Sequence, residues 1–211
     1  MSKQEMFDFK FYEWEKKFHD RPFLRQPFGD RWETYSWSET GQMARKLATG
    51  LQSLGLRKNA HIGLISKNCR EWVIADLAIM MEGYISVPFF PSLKGEELKF
   101  LIDYGDVDLL FVGKIETWEN IKDHIPKNLP LIAFPQYKGC SKVDRVQQWF
   151  DFIDQHQPLQ NPHIPKLSDI WTIIFTSGTT GNPKGVELSF LALDQTKIIT
   201  EQVNPLKIDF S

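Results

Sequence analysis

The sequence lacks the features that mark several broad classes of protein. Its formal net charge is −2 over 211 residues, so it has no excess of basic residues of the kind that binds nucleic acid. It has two cysteines, Cys69 and Cys140, far apart and outside a CxxC pair, which predicts free thiols in a reducing compartment. The five histidines are scattered, and none lies at ligand spacing from a cysteine or another histidine. We therefore expect no metal site built by protein side chains.

Long apolar runs are also missing. The N-terminal stretch MSKQEMFDFKFYEWEKKF contains four carboxylates and no apolar core of a secretory signal. The longest apolar stretch, residues 72–81, is interrupted by Asp76 and is too short to cross a bilayer of about 30 Å. The sequence therefore predicts a cytoplasmic protein. Lys16 and Lys17 are interpreted as a solvated face, with a peripheral contact to a membrane surface as the alternative.

The sequence does contain a regular alternation of short apolar segments and amphipathic segments. The predicted strands cover residues 61–66, 85–90, 109–112, 131–134 and 171–176, and the predicted helices cover residues 71–82, 96–104, 115–125 and 146–156. Such alternation predicts an α/β fold, a mostly parallel sheet with helices on both faces. No shift in composition marks a linker, so residues 1–211 are predicted to be one domain or part of one.

The segment before this alternation predicts a hairpin and a helix. Residues 23–25 and 32–35 flank Gly29 and Asp30, as the two strands of a hairpin would. Ser36 and Glu39 have the spacing of a capping box, so a helix is expected to begin there and to end at Gly55. Its predicted buried stripe consists of Ala44, Leu47, Ala48, Leu51 and Leu54.

One stretch, TSGTTGNPKG at residues 176–185, combines hydroxyl side chains, glycines and a single lysine. Successive backbone amides in a glycine-rich turn form an anion-binding concavity, and hydroxyl groups add donors that suit phosphate oxygens. Lys184 adds a mobile point charge, and it is also the candidate catalytic residue. The stretch therefore predicts a loop that holds the phosphates of a nucleoside triphosphate. Its candidate binding residues are Thr176, Ser177, Gly178, Thr179, Thr180, Gly181 and Lys184.

Two better-known glycine loops do not fit this stretch. In the Walker pattern four residues separate the glycines, whereas six separate Gly178 from Gly185, and Lys184 follows a proline. The dinucleotide pattern GxGxxG is absent from it. A solvent-exposed loop without a ligand is the alternative. Residues 185–188 are predicted to form a returning strand, so the loop is expected to join two strands.

The order of residues from Thr176 to Val186 resembles the phosphate-loop signature of the adenylate-forming superfamily, which includes acyl-CoA synthetases, luciferases and peptide-synthetase adenylation domains. Residues 34–39, TYSWSE, resemble an early hairpin-to-helix segment of that family. Residues 61–93 resemble a segment of its long-chain fatty acid members. The chain departs from the family pattern at Phe190, where these enzymes often have a histidine. This difference puts in doubt any hydrogen bond that the histidine would make.

The resemblance implies a function and a set of small-molecule partners. Members of this family join a carboxylate to AMP with release of pyrophosphate and then transfer the acyl group to a thiol. The implied substrates are ATP, a fatty acid and coenzyme A, with Mg²⁺ bound through the ATP phosphates. The resemblance also implies that the loop amides, the hydroxyls and Lys184 stabilise the charge that develops on pyrophosphate.

Other parts of the family pattern do not occur in this sequence. They are an aromatic-glycine-x-T-E segment, an aspartate that holds the ribose, and a lysine on a mobile C-terminal domain. Residues 1–211 are therefore expected to be the N-terminal portion of the AMP-binding domain of a fatty acid–CoA ligase, and to be inactive alone. The alternatives are adenylation of another acid, loading of a carrier protein, or a non-catalytic nucleotide-binding module. The sequence leaves the acyl chain length, the acceptor thiol and the oligomeric state open.

Overall fold

The computed structural model describes residues 7, 9–144, 146–176 and 183–203, with side chains up to residue 196. The strands are β1 (Pro22–Phe28), β2 (Arg31–Ser36), β3 (His61–Ile65), β4 (Ile85–Phe89), β5 (Val107–Val112), β6 (Leu131–Ala133), β7 (Gln147–Gln148), β8 (Ile170–Thr176) and β9 (Lys184–Ser189). The α-helices are α1 (Lys10–Lys17), α2 (Trp37–Ser53), α3 (Arg70–Glu82), α4 (Gly95–Tyr104), α5 (Trp118–Ile121), α6 (Trp149–Ile153) and α7 (Phe190–Val203). A short 3₁₀ helix, Lys122–His124, follows α5.

The central sheet has the strand order β7-β6-β5-β3-β4-β8-β9. All its neighbouring strands are parallel except β8 and β9, which form an antiparallel pair at one edge. This arrangement confirms the mostly parallel α/β fold. Strands β1 and β2 form a separate antiparallel hairpin, and Gly29 in its turn has a φ of 62°. The predicted hairpin is therefore also confirmed.

Helix α2 begins at the predicted capping box. The hydroxyl of Ser36 accepts a hydrogen bond from the backbone N–H of Glu39 at 3.1 Å, and the Glu39 carboxylate accepts one from the N–H of Ser36 at 2.7 Å. Gly55 follows the helix with a left-handed φ of 63°, as expected for a terminating glycine. The predicted stripe is buried from Ala44 to Leu51, but Leu54 was wrongly included, because it lies after the last helical residue and is 40% exposed.

Two hydrophobic cores lie on opposite faces of the central sheet. Alternate residues of β3 and β5 divide between the cores: Ile62 and Phe111 belong to one, and Ile65 and Leu110 to the other. The first core packs beneath α2, α3 and α6, and the second beneath α4 and α5. Because both faces of the sheet are covered, its strands consist of nearly continuous apolar residues.

Two predicted helices are shorter than expected. The helix predicted at residues 115–125 is limited to α5 and the 3₁₀ turn, because the carbonyl of Ile115 accepts a hydrogen bond from the Ser141 N–H at 2.7 Å instead of starting a helix. The helix predicted at residues 146–156 is limited to α6. Gln147 and Gln148 pair with β6 and extend the sheet by one short strand, which local helical periodicity could not show.

Both cysteines are free thiols, with Cys69 buried and Cys140 half-buried, as expected. Among the described residues, no helix combines the length and the apolar character that crossing a membrane requires. In the same part of the chain, no group of three or more His, Cys, Asp or Glu side chains is placed to hold a metal ion.

Candidate functional site

The structure describes the two residues that flank the predicted phosphate loop. Thr176 is the last residue of β8 and Lys184 is the first residue of β9, and the two are paired directly across the antiparallel ladder. Both side chains are exposed. The other predicted loop residues, Ser177, Gly178, Thr179, Thr180 and Gly181, lie outside the described residues. The expectation that the loop joins two strands is confirmed.

Gly185 allows β9 to lie close to β8 at the base of the loop. Gly185 pairs with Phe175, and a Cβ atom at Gly185 would lie 3.2 Å from Cε1 of Phe175 and 3.3 Å from Cγ2 of Ile173. Both distances are shorter than ordinary carbon–carbon contacts of about 3.5–4.0 Å. A residue with a side chain would therefore push the strand that carries Lys184 away from the buried Phe175 ring.

The loop lies at the carboxyl edge of the parallel sheet. Strand β8 runs parallel to β4, so the end of β8 at Thr176 points to the same edge as the ends of β3, β4 and β5. Ligands of open α/β sheets bind outside this edge, commonly where the strand order reverses. In this sheet the order reverses between β3 and β5, because β4 lies on one side of β3 and β5 on the other.

The crevice at that reversal is filled by the protein's own side chains. Tyr137 is buried there, its hydroxyl donates a hydrogen bond to Glu71, and its ring stacks on Phe28 with 4.9 Å between the centroids. The ammonium of Lys114 lies 5.1 Å from the centre of the Tyr137 ring. Burial raises the pKa of Tyr137, and the negative charge of Glu71 raises it further, so the hydroxyl stays a neutral donor. An open cavity lies instead on the other side of β4.

A cavity of about 640 Å³ opens beside the loop, between β4, α4 and the end of β8. In the described structure, strands β4 and β8 are registered at one pair, Ser86 and Thr172. Pro88 has no backbone N–H and so cannot continue the ladder toward the carboxyl edge. The cavity walls are mainly apolar and include Pro88, Phe89, Leu93, Phe100, Phe175 and Thr176.

Aromatic rings form the floor of this cavity, and two carboxylates lie on its rim. The rings of Phe89 and Phe175 are nearly parallel, with 6.1 Å between their centroids. Glu97 accepts a hydrogen bond from the N–H of Lys94 at 3.0 Å and so caps the start of α4. Glu96 lies 3.2 Å from Nδ1 of His124. Both carboxylates therefore have partners in the protein, and the interior suits a ligand segment that carries little charge.

Sequence reasoning did not find this cavity. Its signal is the run VPFFPSL at residues 87–93, where two prolines bracket two phenylalanines and Phe90 is 67% exposed. A proline inside a strand is a recognisable interruption of pairing. The identity of the neighbouring strand, β8, is set by long-range packing about 85 residues later in the chain, so local patterns could not show that a cavity results.

Phe190, the departure from the family pattern, is a packing residue. It is 3% exposed, and its ring centroid lies 4.9 Å from that of Phe7. Its backbone N–H donates to the carbonyl of Asp169 at 3.0 Å at the start of α7. Phe190 thus takes the position of the family's histidine, and its ring packs against Phe7 where a histidine would make a hydrogen bond.

The described part of the chain is a mostly parallel α/β sheet that ends in an antiparallel strand pair joined by a threonine- and glycine-rich segment, and comparison with known families gives its class. The model of the AMP-binding enzyme family matches residues 11–204. The chain belongs to this family.

Curated relatives of the chain include long-chain acyl-CoA ligases. The chain is 29% identical over 188 residues to the long-chain-fatty-acid–CoA ligase ACSBG2 of Mus musculus, covering 85% of this chain and 28% of that protein. It is 30% identical over 168 residues to long chain acyl-CoA synthetase 4 of Arabidopsis thaliana, covering 75% of this chain and 25% of that protein. The chain therefore spans about a quarter of the length of these relatives.

Solved structures of similar fold include two CoA ligases. A long-chain-fatty-acid–CoA ligase from Archaeoglobus fulgidus superposes with a TM-score of 0.76 at 21% identity, covering 96% of this chain and 41% of that one. An anthranilate CoA ligase in complex with anthranoyl-AMP gives a TM-score of 0.77 at 20% identity, covering 98% of this chain and 38% of that one. At these identities the likeness concerns the fold.

Proposed function

We propose that this chain is the N-terminal portion of the AMP-binding domain of an ATP-dependent acid–thiol ligase, which activates a long-chain fatty acid as acyl-AMP and transfers it to coenzyme A. The observation that carries the proposal is the direct pairing of Thr176 with Lys184 at the carboxyl edge of the sheet, next to the apolar cavity. Membership of the AMP-binding family and the names of the mammalian and plant relatives support it.

The two described loop residues suit the phosphates of ATP. The Lys184 side chain is exposed and, among its described neighbours, has no ion-pair partner, so its charge is available to a ligand. The Thr176 hydroxyl across the ladder can donate a hydrogen bond beside it. A hydrogen bond to a charged group contributes about 1.5–3 kcal/mol, and several such bonds would favour the departure of pyrophosphate substantially.

The remaining loop residues are assigned by the same proposal. Ser177, Gly178, Thr179, Thr180 and Gly181 would hold the phosphates together with Thr176 and Lys184, and Lys184 would act as the catalytic cation. Mg²⁺ would reach the site as a complex with ATP and would supply further charge neutralisation. The chemistry of the described donors, a hydroxyl and an ammonium, fits phosphate oxygens and not a dedicated protein-built metal site.

The apolar cavity would accept an elongated, weakly charged segment of a second substrate. It opens toward Thr176 and Pro183, so the reactive end of that segment would lie beside the loop. Such a placement holds the reacting groups together, which can account for about 7–11 kcal/mol of a barrier. Because the chain spans about a quarter of its relatives, the groups that bind adenine and ribose are expected in sequence beyond residues 1–211.

The proposal is tested by a substrate screen in which acyl-AMP and acyl-CoA are detected by mass spectrometry. The full-length ligase, of which residues 1–211 are proposed to be the N-terminal portion, would be incubated with ATP, Mg²⁺, coenzyme A and a series of acids that includes saturated fatty acids, benzoate-type acids and amino acids. We expect fatty acids with long aliphatic chains to give both products. Formation of acyl-AMP from amino acids or aromatic acids alone, or hydrolysis of ATP without any acyl adduct, would contradict the proposed substrate class.

A further inference from the structure

The hairpin that carries the loop is joined to the rest of the sheet through β4 and β8. Strands β3 and β4 are paired at five positions, as are β3 and β5. Between β4 and β8, in contrast, the described strands are registered at a single pair, Ser86 and Thr172. The Thr172 hydroxyl reinforces this pair by donating to the Ser86 carbonyl at 2.9 Å. This pair is the registered junction between the parallel strands and the hairpin that ends at Thr176 and Lys184.

A buried carboxyl group lies at the same point. Asp76 belongs to α3, which covers this face of the sheet, and its side chain is buried against β4 and β8. Ser86 on β4 and Trp171 on β8 each direct a hydrogen-bond donor toward it. Ser86 and Thr172 are themselves buried. One carboxyl group thus faces both strands at the place where they are joined.

This cluster is not fully satisfied by the protein. Oδ1 of Asp76 and Nε1 of Trp171 are both buried and have no partner of normal hydrogen-bond geometry in the described structure. The indole N–H is nevertheless near enough to favour the charged carboxylate, although burial has the larger opposite effect on the pKa of Asp76. A buried polar group that lacks an ideal partner is costly, so its presence calls for a structural explanation.

We propose that Asp76 is a positioning residue, which lies against Ser86 of β4 and Trp171 of β8, helps to hold the two strands together and thereby helps to set the place of Thr176 and Lys184. This inference has a structural half, that Asp76 holds the β8–β9 hairpin against the sheet, and a functional half, that this placement supports ATP binding. The functional half rests on the proposed ATP-dependent activity, whereas the structural half does not. An apolar residue at position 76 could fill the same volume but could not connect donors from two strands.

The chain offers a matched control on the same helix. Glu71 is also a buried carboxylate of α3, but it faces away from β8: it accepts hydrogen bonds from Arg70 at 2.8 Å and from Tyr137. Arg70 in turn binds Glu33 of β2 at 2.9 Å. Removal of the Glu71 carboxylate should therefore loosen the β1–β2 hairpin and leave the β8–β9 hairpin in place.

Hydrogen exchange measured by mass spectrometry on the intact protein tests the structural half. In Asp76→Ala, amides of residues 172–176 and 184–188 should exchange at least about tenfold faster relative to those of residues 62–65 and 109–112, because the local opening energy falls. In Glu71→Ala the increase should fall on residues 22–36 instead. If Asp76→Ala does not fold, Trp171→Phe removes a donor beside Asp76 and should give a weaker increase in exchange at residues 172–176 and 184–188. If Glu71→Ala does not fold, Tyr137→Phe removes a donor to Glu71 and should give a weaker increase at residues 22–36.

Steady-state kinetics test the functional half. Misplacement of a binding group by about 1 Å can cost up to a hundredfold, so we expect Asp76→Ala to raise the KM for ATP about tenfold or more. Asp76→Asn keeps an oxygen acceptor and should restore most of the lost affinity. Glu71→Ala should lower the melting temperature without raising the KM for ATP.

The outcomes separate this inference from the proposed function. Faster exchange spread evenly over the sheet in Asp76→Ala, or an unchanged KM for ATP alongside a loosened β8–β9 hairpin, would overturn the positioning role. If the full-length protein without substitutions showed no ATP-dependent acyl transfer, the proposed function and the kinetic part of this inference would fall together. The exchange pattern would still decide whether Asp76 holds the hairpin.

Discussion

Gly185 lies directly opposite Phe175 in the β8–β9 ladder, and the Phe175 ring covers the side on which a side chain at position 185 would project. We expect Gly185→Val to destabilise the protein by about 1–3 kcal/mol, because overpacking forces a shift of the ring or the strand. The free energy of unfolding from urea titration is the measurement. Glu187→Ala, at an exposed position of the same strand, is the control. Equal stability of the two variants would contradict the contact.

The aromatic pair of Phe7 and Phe190 gives a second prediction. Both rings are buried against each other, so Phe7→Ala and Phe190→Ala should each destabilise the protein by about 3–5 kcal/mol. Because the rings share one contact, the double variant should lose less than the sum of the single losses. Phe150→Ala, at a position that is 46% exposed, should have a smaller effect. Additive losses would show that the two residues act independently.

A third prediction concerns the pH dependence of stability. Burial raises the pKa of Asp76 from 3.8 to about 6 in the folded protein. The folded state therefore favours the protonated form, and the stability that this form gives is present below about pH 4 and is lost as the pH rises to about 6. At about 1.4 kcal/mol per pKa unit, the loss amounts to about 3 kcal/mol.

Asp76→Asn should remove this part of the pH dependence, since an amide does not titrate. Burial also raises the pKa of Glu82 to about 7, so Glu82 contributes in the same direction, and the comparison between wild type and Asp76→Asn isolates the effect of Asp76. Unfolding free energies at pH 4 and pH 7 are the measurement. A difference between wild type and variant that is the same at both pH values would refute the assignment.

The interrupted pairing at Pro88 leads to a fourth prediction. Pro88→Val supplies a backbone N–H, so β4 and β8 could pair further toward the carboxyl edge and narrow the cavity between them. We expect a higher KM for the elongated substrate with little change in the KM for ATP. Pro130→Val, before β6 and away from the cavity, is the control. Equal effects of Pro88→Val on both KM values would argue against a separate role for the cavity.

Local patterns in the sequence account for much of the fold. The capping box of Ser36 and Glu39, the turn at Gly29 and the apolar strands each follow from residues within a few positions of one another, and the structure confirms them. The predicted helix at residues 146–156 was wrong at its start, because Gln147 and Gln148 pair with a strand that lies 15 residues earlier. Pairing with a distant partner outweighed local helical periodicity there.

The candidate site shows the same division between local and long-range information. The sequence places Thr176 and Lys184 at the ends of a loop between two strands, and the structure confirms this arrangement. It could not show that Tyr137 fills the crevice between β3 and β5, or that Asp76 faces Ser86 and Trp171, since each contact joins separate elements ten or more residues apart. The sequence signal for Asp76 is that it is the one charged residue in the apolar stretch 72–81, which indicates a buried carboxyl group.

The central claim is that Lys184 acts on the phosphates of ATP, and ATP–pyrophosphate exchange with a long-chain fatty acid tests it most directly. Lys67→Ala is the matched control, because Lys67 is also an exposed lysine at the carboxyl edge but is paired with Glu116 at 2.5 Å. We expect Lys184→Ala to reduce exchange by about ten- to a hundredfold, in line with a loss of about 1.5–3 kcal/mol, with an unchanged melting temperature. Lys67→Ala should exchange pyrophosphate at the rate of the wild type. Exchange by Lys184→Ala within about twofold of the wild type would contradict the account.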